Sequence, residues 1–207
     1  MIEFLFAQYK DYPNYLIALE LIAVVFGIIS VLFARKNNIL VYPTGLVSTI
    51  LYVYILFEFQ LYGDLIINFY YTIMSFLGWY LWSKTKEGED EFPISTINRK
   101  EILVSTLIFT ITLTFVALVY HFFDKFTHWT AYVDALTTGL FFVGMWLMAK
   151  RKIENWILWI IADAISIPLY FYKGLTFSSF QFILFTIIAI FFEFSKKFLF
   201  FRFFLIF

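Results

Sequence analysis

The chain has 207 residues, of which 62% are hydrophobic, 24% aromatic and 14% charged, and its mean hydropathy is +0.84. A soluble domain is about half apolar and about a quarter charged, so this composition excludes a soluble protein and predicts an integral membrane protein. The 15 Lys and Arg residues balance the 15 Asp and Glu residues, which excludes a nucleic acid as partner because such binding requires a basic excess.

Seven long apolar segments follow one another along the chain, separated by polar residues or by Pro and Gly. A helix that crosses a hydrocarbon core of about 30 Å needs about 20 residues, so each segment is predicted to be a membrane-spanning α-helix. The segments are 14–34, 38–57, 62–82, 102–123, 131–149, 154–172 and 177–197. A polar connection over 83–101 and short loops take up most of the rest, so residues 1–207 are predicted to form a single all-α membrane domain.

The Lys and Arg residues are distributed unevenly between alternate loops. With the N-terminus outside, 12 of them fall on the cytoplasmic side and 3 on the other. Cytoplasmic loops carry the excess of Lys and Arg, so the sequence predicts an N-out/C-in chain and an odd number of spans. The cytoplasmic set is Arg35, Lys36, Lys84, Lys86, Arg99, Lys100, Lys150, Arg151, Lys152, Lys196, Lys197 and Arg202, and the outer set is Lys10, Lys125 and Lys173.

The second and sixth predicted spans resemble each other. Residues 42–52 and 160–170 align without gaps, share a Ser and a Tyr, and are each preceded by a basic turn. We therefore expect two three-helix units, 14–82 and 131–197, joined by 102–123 as a connector helix. Because three helices and a connector restore the starting direction, the two units are predicted to be parallel repeats related by an axis along the membrane normal.

The sixth span carries a stripe of polar and aromatic residues. Its members recur at steps of 4, 4, 3 and 4 residues, which places them on one helix face. They are Asn155, Trp159, Asp163, Ser166 and Tyr170. Asp163 lies near the middle of the span, where a charge that faces lipid is costly. We therefore expect Asp163 to face protein, water or a ligand.

A second stripe runs along the third span and has counterparts in the second and seventh. The third-span members are Asp64, Asn68, Tyr71, Ser75 and Trp82; the second span adds Gly45, Ser48 and Tyr52, and the seventh adds Ser178 and Gln181. Polar faces on equivalent helices predict a cavity between the two units. Within it, Asn68 and Asp163 are the residues we expect to contact a ligand.

Other polar residues in the spans have simpler interpretations. Ser residues in membrane helices mostly bond the backbone or permit close packing, which we expect for Ser48, Ser75 and Ser166. Asp64 and Asp134 fall near the outer ends of their spans, where water can reach them. For Glu20 two interpretations stay open, an interhelical hydrogen-bond partner or a site residue.

Several motifs in these spans recur together in a known family. They are YPTG-x2-S-x3-Y at 42–52, LYGD-x3-N-x2-Y-x3-S-x2-GWYLW at 61–82, W-x3-VDA at 129–135 and ENW-x2-W-x3-D-x2-SIPLY-x2-KG at 154–174. From about residue 20 to residue 197, the chain resembles the PnuC family of vitamin-precursor transporters.

This resemblance implies a seven-helix transporter of SWEET-like 3+1+3 architecture, a homotrimer in the bacterial cytoplasmic membrane, that takes up nicotinamide riboside by facilitated diffusion. Related members take thiamine or riboflavin, so thiamine remains an alternative substrate. By motif, the residues that face the substrate cavity are Asn68, Tyr71, Trp159, Asp163 and Tyr170, and Trp79 within GWYLW is carried over with them.

The chemistry of these substrates suits the predicted stripes. Nicotinamide riboside carries a pyridinium charge and thiamine a thiazolium charge. A carboxylate such as Asp163 compensates a planar cation that leaves water, and aromatic faces add about 0.5–2 kcal/mol for each cation–π contact. Asn68 and Gln181 offer amide donors and acceptors for a carboxamide or for ribose hydroxyls.

Other classes of membrane protein fit the sequence less well. With no Cys and only two His, we expect no metal and no cofactor. Every Lys lies at a span end or in a loop, which argues against a retinal-type receptor, and no Gly-rich nucleotide loop is present for ATP hydrolysis. An intramembrane hydrolase would need a nucleophile–base pair or a metal cluster. A non-catalytic scaffold subunit remains as an alternative, although it leaves Asp163 unexplained.

Overall fold

The computed structural model describes residues 12–86, 89–90, 93–122 and 128–204, and within them the chain forms seven α-helices and one short hairpin. The helices are α1 (Asn14–Arg35), α2 (Val41–Glu58), α3 (Tyr62–Trp82), α4 (Arg99–Phe122), α5 (Thr130–Ala149), α6 (Asn155–Tyr172) and α7 (Thr176–Phe204). In the polar connection, β1 (Thr85–Lys86) pairs antiparallel with β2 (Glu89–Asp90). The prediction of seven helices is confirmed, and α7 continues past residue 197.

Five helices of the described chain, namely α1, α2, α4, α5 and α6, are long and apolar enough to cross a membrane. Helix α3 is 21 residues long and carries the polar stripe, and the apolar part of α7 is Thr176–Phe191. Helix α4 is the least buried of the five, with Leu103 71% and Leu118 62% exposed. Apolar side chains this exposed require an apolar surrounding such as lipid.

Six helices pack in a closed ring, in the order α1, α2, α3, α5, α6, α7 and back to α1. Helix α4 lies outside this ring and packs on α5. Small polar side chains draw the neighbours together: the Ser48 hydroxyl donates to the Ala23 carbonyl at 2.8 Å, and the Ser30 hydroxyl to the Val41 carbonyl at 2.7 Å. The packing role predicted for Ser48 is therefore confirmed.

The turns within the two sets of three helices have the same lengths. Five residues separate α1 from α2 and also α5 from α6, and three residues separate α2 from α3 and also α6 from α7. In each turn the second residue beyond the helix has a left-handed backbone; these residues are Asn37, Gln60, Arg151 and Gly174, with φ of 51°, 56°, 53° and 85°.

The hydrogen bonds of these four turns also match. In each turn, the residue after the left-handed one donates its N–H to the carbonyl five residues before it. This is the hydrogen bond of the Schellman motif, which ends many helices. The bonds are Asn38 to Phe33, Leu61 to Leu56 and Lys152 to Leu147, each 2.9 Å, and Leu175 to Tyr170, 3.0 Å. Both sets of three helices are therefore closed by the same local geometry.

The polar connection before α4 is fastened to the turn between α5 and α6. Ser95 exchanges backbone hydrogen bonds with this turn, donating to the Arg151 carbonyl at 3.2 Å and accepting from the Ile153 N–H at 3.1 Å. Lys152 adds an ion pair with Glu101 at 3.0 Å, at the start of α4. These contacts fix the start of α4 against the turn between α5 and α6.

A close contact between α2 and α3 depends on Gly78. A methyl group at this position would collide with the ring of Tyr42, which is fully buried and packs edge-on against Trp82 with the ring centroids 5.1 Å apart. The two backbones therefore approach this closely because residue 78 lacks a side chain.

Gly78→Ala is expected to lower the free energy of unfolding by about 1–3 kcal/mol, the usual cost of overpacking. Gly144→Ala is the matched control, because the nearest atom to its new methyl group, in Trp159, lies at an ordinary 3.5 Å. That variant should be neutral or stabilising by up to about 1 kcal/mol, as Ala favours helix over Gly. Thermal unfolding in detergent compares the two, and equal effects would contradict this account of Gly78.

Candidate functional site

A cavity of about 140 Å³ lies at the centre of the ring and receives side chains from all six ring helices. Six of the seven site residues predicted from the sequence line it: Asn68, Tyr71, Trp159, Asp163, Tyr170 and Gln181. Periodicity placed these residues on the correct helix faces, because the stripes of α3 and α6 point towards the same space.

The cavity extends towards one end of the helix ring. It is lined at one end by Ala34, Val41, Met148, Trp156 and Ala189, close to the turns that carry Arg35 and Arg151. At the opposite end the ring is filled by a buried apolar cluster of Leu16, Ala23, Tyr52, Ile55, Leu56, Tyr170 and Leu175. The cavity therefore extends from the middle of the helices towards the Arg35 end.

Aromatic rings surround the middle of the cavity. Tyr71, Phe141 and Trp159 form a triangle whose ring centroids are 5.5–6.1 Å apart. Phe182 extends it, 6.1 Å from Phe141 and 4.7 Å from Tyr170. Phe141 and Phe182 were not predicted, since nothing in a sequence with 30 Phe residues distinguishes these two. A flat, electron-poor group in the cavity can lie against these rings.

Asp163 faces this aromatic triangle with unused hydrogen-bonding capacity. Its side chain is 1% exposed, and its Oδ1 has no hydrogen-bond partner in the structure; the same holds for the Tyr71 hydroxyl. Among the described residues, no Lys, Arg or His forms an ion pair with Asp163. A buried carboxylate without a cation is costly, so the cavity is suited to a ligand that supplies a positive charge.

The two amide side chains of the site are already anchored. Asn68 donates from Nδ2 to the Asp64 carbonyl at 3.0 Å. Gln181 accepts at Oε1 from the Tyr52 hydroxyl at 2.8 Å and donates from Nε2 to the Val24 carbonyl at 3.4 Å. Both amides are therefore oriented before any ligand enters.

Trp79 does not line the cavity, contrary to the prediction from the GWYLW motif. Its side chain is 40% exposed. In this last turn of α3 the side that meets α2 is formed by Gly78 and Trp82, both against Tyr42. One residue further along a helix is a rotation of about 100°, which turns Trp79 away from α2.

A buried ion cluster closes the end of the ring opposite Arg35. The Lys173 ammonium, in the turn after α6, lies between Asp64 of α3 and Asp134 of α5, 2.6 Å from Oδ1 of the latter. Tyr120 of α4 donates to the other oxygen of Asp134 at 3.1 Å. Asp64 and Asp134 were expected to lie in reach of water, but both are buried, because Lys173 folds over them.

Glu20 is an interhelical hydrogen-bond partner, the first of its two open interpretations. Its carboxylate accepts from the Ser178 hydroxyl at 2.8 Å and from the Ser178 N–H at 3.2 Å, joining α1 to the first turn of α7. Ser166, by contrast, is fully buried but its hydroxyl has no partner in the structure.

Comparisons with known proteins place this geometry in context. A family model described as nicotinamide mononucleotide transporter matches residues 17–195. The nicotinamide riboside transporter PnuC of Escherichia coli (strain K12) is 25% identical over 199 residues, covering 83% of this chain and 82% of that protein. The protein of the same name from Neisseria mucosa is 30% identical over 156 residues, covering 72% of this chain and 58% of that protein.

A solved structure, described as the crystal structure of the vitamin B3 transporter PnuC, resembles the fold with a TM-score of 0.59 and 23% sequence identity. The likeness covers 91% of this chain and 89% of the other. The match therefore extends over the ring and the outer helix together.

Proposed function

Because this chain belongs to the nicotinamide mononucleotide transporter family, we propose that it takes up nicotinamide riboside across a membrane, through the central cavity and by facilitated diffusion. The family consists of transporters and not of enzymes, and two relatives carry nicotinamide riboside in their names. The substrate would be bound by Asn68, Tyr71, Trp159, Asp163, Tyr170 and Gln181.

The observation that carries this proposal is the uncompensated carboxylate of Asp163 inside an aromatic cavity. A pyridinium ring in the cavity, against Tyr71, Phe141 and Trp159, would supply the missing positive charge and meet the electron-rich faces of the rings. The amides of Asn68 and Gln181 would then serve the carboxamide and the ribose hydroxyls.

The proposed architecture is a pair of parallel three-helix units, α1–α3 and α5–α7, with α4 as connector, in the SWEET-like 3+1+3 arrangement. The matching turn lengths and Schellman endings of the two units support it. The Lys and Arg distribution supports an N-out/C-in orientation in the bacterial inner membrane. With that orientation the cavity extends towards the cytoplasm. The resemblance also implies a homotrimer, which a mass measurement in detergent would test.

Uptake into proteoliposomes tests the function directly. Purified protein should carry labelled nicotinamide riboside until the internal and external concentrations are equal, with no ATP and no ion gradient. An imposed proton or sodium gradient, with the membrane potential held at zero, should leave that plateau unchanged. Accumulation above the external concentration would contradict facilitated diffusion, and no uptake above protein-free vesicles would favour a scaffold subunit. Uptake of thiamine in place of nicotinamide riboside would reassign the substrate.

Substrate binding is expected to quench the fluorescence of Trp159 and not that of Trp79. Trp159→Leu should remove most of the ligand-induced quenching of tryptophan fluorescence and weaken binding by about 0.5–2 kcal/mol, the value of one cation–π contact. Trp79→Leu is the matched control, because Trp79 lies outside the cavity; its Kd should stay within about twofold of wild type. Equal losses in both variants would contradict the placement of the aromatic site.

A further inference from the structure

The Gln181 amide is fixed by contacts with two helices other than its own. From α7 it reaches the cavity between α1 and α2, where Tyr52 donates to its oxygen and Val24 accepts from its nitrogen. Gly27 of α1 gives the amide its room, because a methyl group there would collide with Nε2 of Gln181.

A second row of contacts holds the Tyr52 hydroxyl in place. The Tyr52 hydroxyl lies 3.0 Å from the Ser178 hydroxyl as well as 2.8 Å from the Gln181 oxygen. Ser178 has a single hydroxyl proton, which Glu20 accepts at 2.8 Å. Ser178 can then only accept from Tyr52, so the one Tyr52 proton has two acceptors, of which the Gln181 oxygen is the nearer.

These contacts limit what Gln181 can offer to a ligand. A primary amide has two N–H donors and one acceptor oxygen. Tyr52 donates to one of the two lone pairs of the oxygen and Val24 accepts from one N–H, so the second N–H remains as a donor for the cavity. Asp163, also on the cavity wall, offers an unpartnered acceptor oxygen. The cavity wall thus presents one donor, the Gln181 N–H, and one acceptor, the Asp163 oxygen.

We propose that Tyr52, held by Ser178 and Glu20, is a positioning residue that makes Gln181 a hydrogen-bond donor to an acceptor oxygen of the substrate, such as a ribose hydroxyl or a carboxamide oxygen. This inference rests on the proposed function, since it concerns the same cavity. It adds Glu20 of α1 and Tyr52 of α2, which would determine the hydrogen bonding of the substrate through Gln181.

A double-mutant cycle on the purified full-length chain tests the proposal, with nicotinamide riboside as ligand and Kd measured by calorimetry. Tyr52→Phe removes only the hydroxyl, and Gln181→Met keeps the length of the side chain without its polar atoms. Each is expected to weaken binding about fivefold, the effect of one net hydrogen bond. If Tyr52 acts through Gln181, the double variant should also lose about fivefold, because Tyr52→Phe has nothing further to remove.

Tyr70→Phe is the matched control. Its hydroxyl donates to the Phe142 carbonyl at 3.1 Å and Tyr70 does not line the cavity, so its stability should fall as in Tyr52→Phe while its Kd stays unchanged. Losses that multiply in the double variant, or an unchanged Kd in Tyr52→Phe, would overturn the inference alone. Absence of saturable binding to the wild type would instead overturn the proposed function, and this inference with it.

Discussion

Asp163→Asn is expected to weaken the binding of nicotinamide riboside about 30-fold or more, because losing one partner of a buried charge pair costs about 2 kcal/mol at least. The substitution keeps the shape of the side chain and removes its charge. Since no cation of the described chain pairs with Asp163, the variant should fold as well as the wild type. Calorimetry gives the affinity and thermal unfolding checks the fold.

Comparison of two ligands separates charge from shape at this position. The reduced form of nicotinamide riboside has nearly the same size but a neutral ring, so Asp163→Asn should alter its Kd by less than about threefold. Ser166→Ala is the matched control on the same helix, because Ser166 is equally buried but does not line the cavity. Equal losses for both ligands would mean that Asp163 positions the substrate, and no loss would exclude a cation site.

Lys173→Met is expected to produce the largest loss of stability, about 3–5 kcal/mol, as found when one member of a buried ion pair is removed. The substitution leaves Asp64 and Asp134 facing each other with no cation, and the side chains of all three residues are at most 7% exposed. Thermal unfolding in detergent, followed by tryptophan fluorescence, measures the effect.

A second variant shows whether the loss arises from uncompensated charge. Combining Lys173→Met with Asp64→Asn leaves one buried carboxylate in place of two, so part of the lost stability should return. Lys150→Met is the control, because its ammonium lies over the Trp146 ring at 5.4 Å and forms no ion pair within the described chain; an effect of about 1 kcal/mol or less is expected. A double variant no more stable than Lys173→Met would argue that the methylenes of Lys173, and not its charge, matter.

The helices and most of the site could be predicted because both have a local signature. Apolar runs of about 20 residues determine the helices, and a polar residue every three or four positions determines the face that meets the cavity. The family resemblance, which the motifs indicated, is confirmed by the family match over residues 17–195. Asp163 was predicted to face the cavity, which it lines, because a mid-span carboxylate that faces lipid is costly.

The contacts that escaped prediction join residues far apart in sequence. Lys173 pairs with Asp64 across 109 positions and with Asp134 across 39, and no periodicity connects a loop Lys to carboxylates on two other helices. Tyr52 and Ser178, 126 positions apart, meet for the same reason. Trp79 was predicted to line the cavity because it belongs to the GWYLW motif. A motif gives the type of a residue, but the direction of its side chain depends on how α2 packs against the end of α3.

The matched turns also bear on the order in which the chain assembles. Each turn is closed by hydrogen bonds within six residues, so neighbouring helices can form hairpins as soon as both have been synthesised. Only two contacts of the ring join helices that are not consecutive, α3 with α5 and α1 with α7. The second of these joins the first and the last of the described helices, α1 and α7. The cavity is therefore enclosed only when α7 packs against α1.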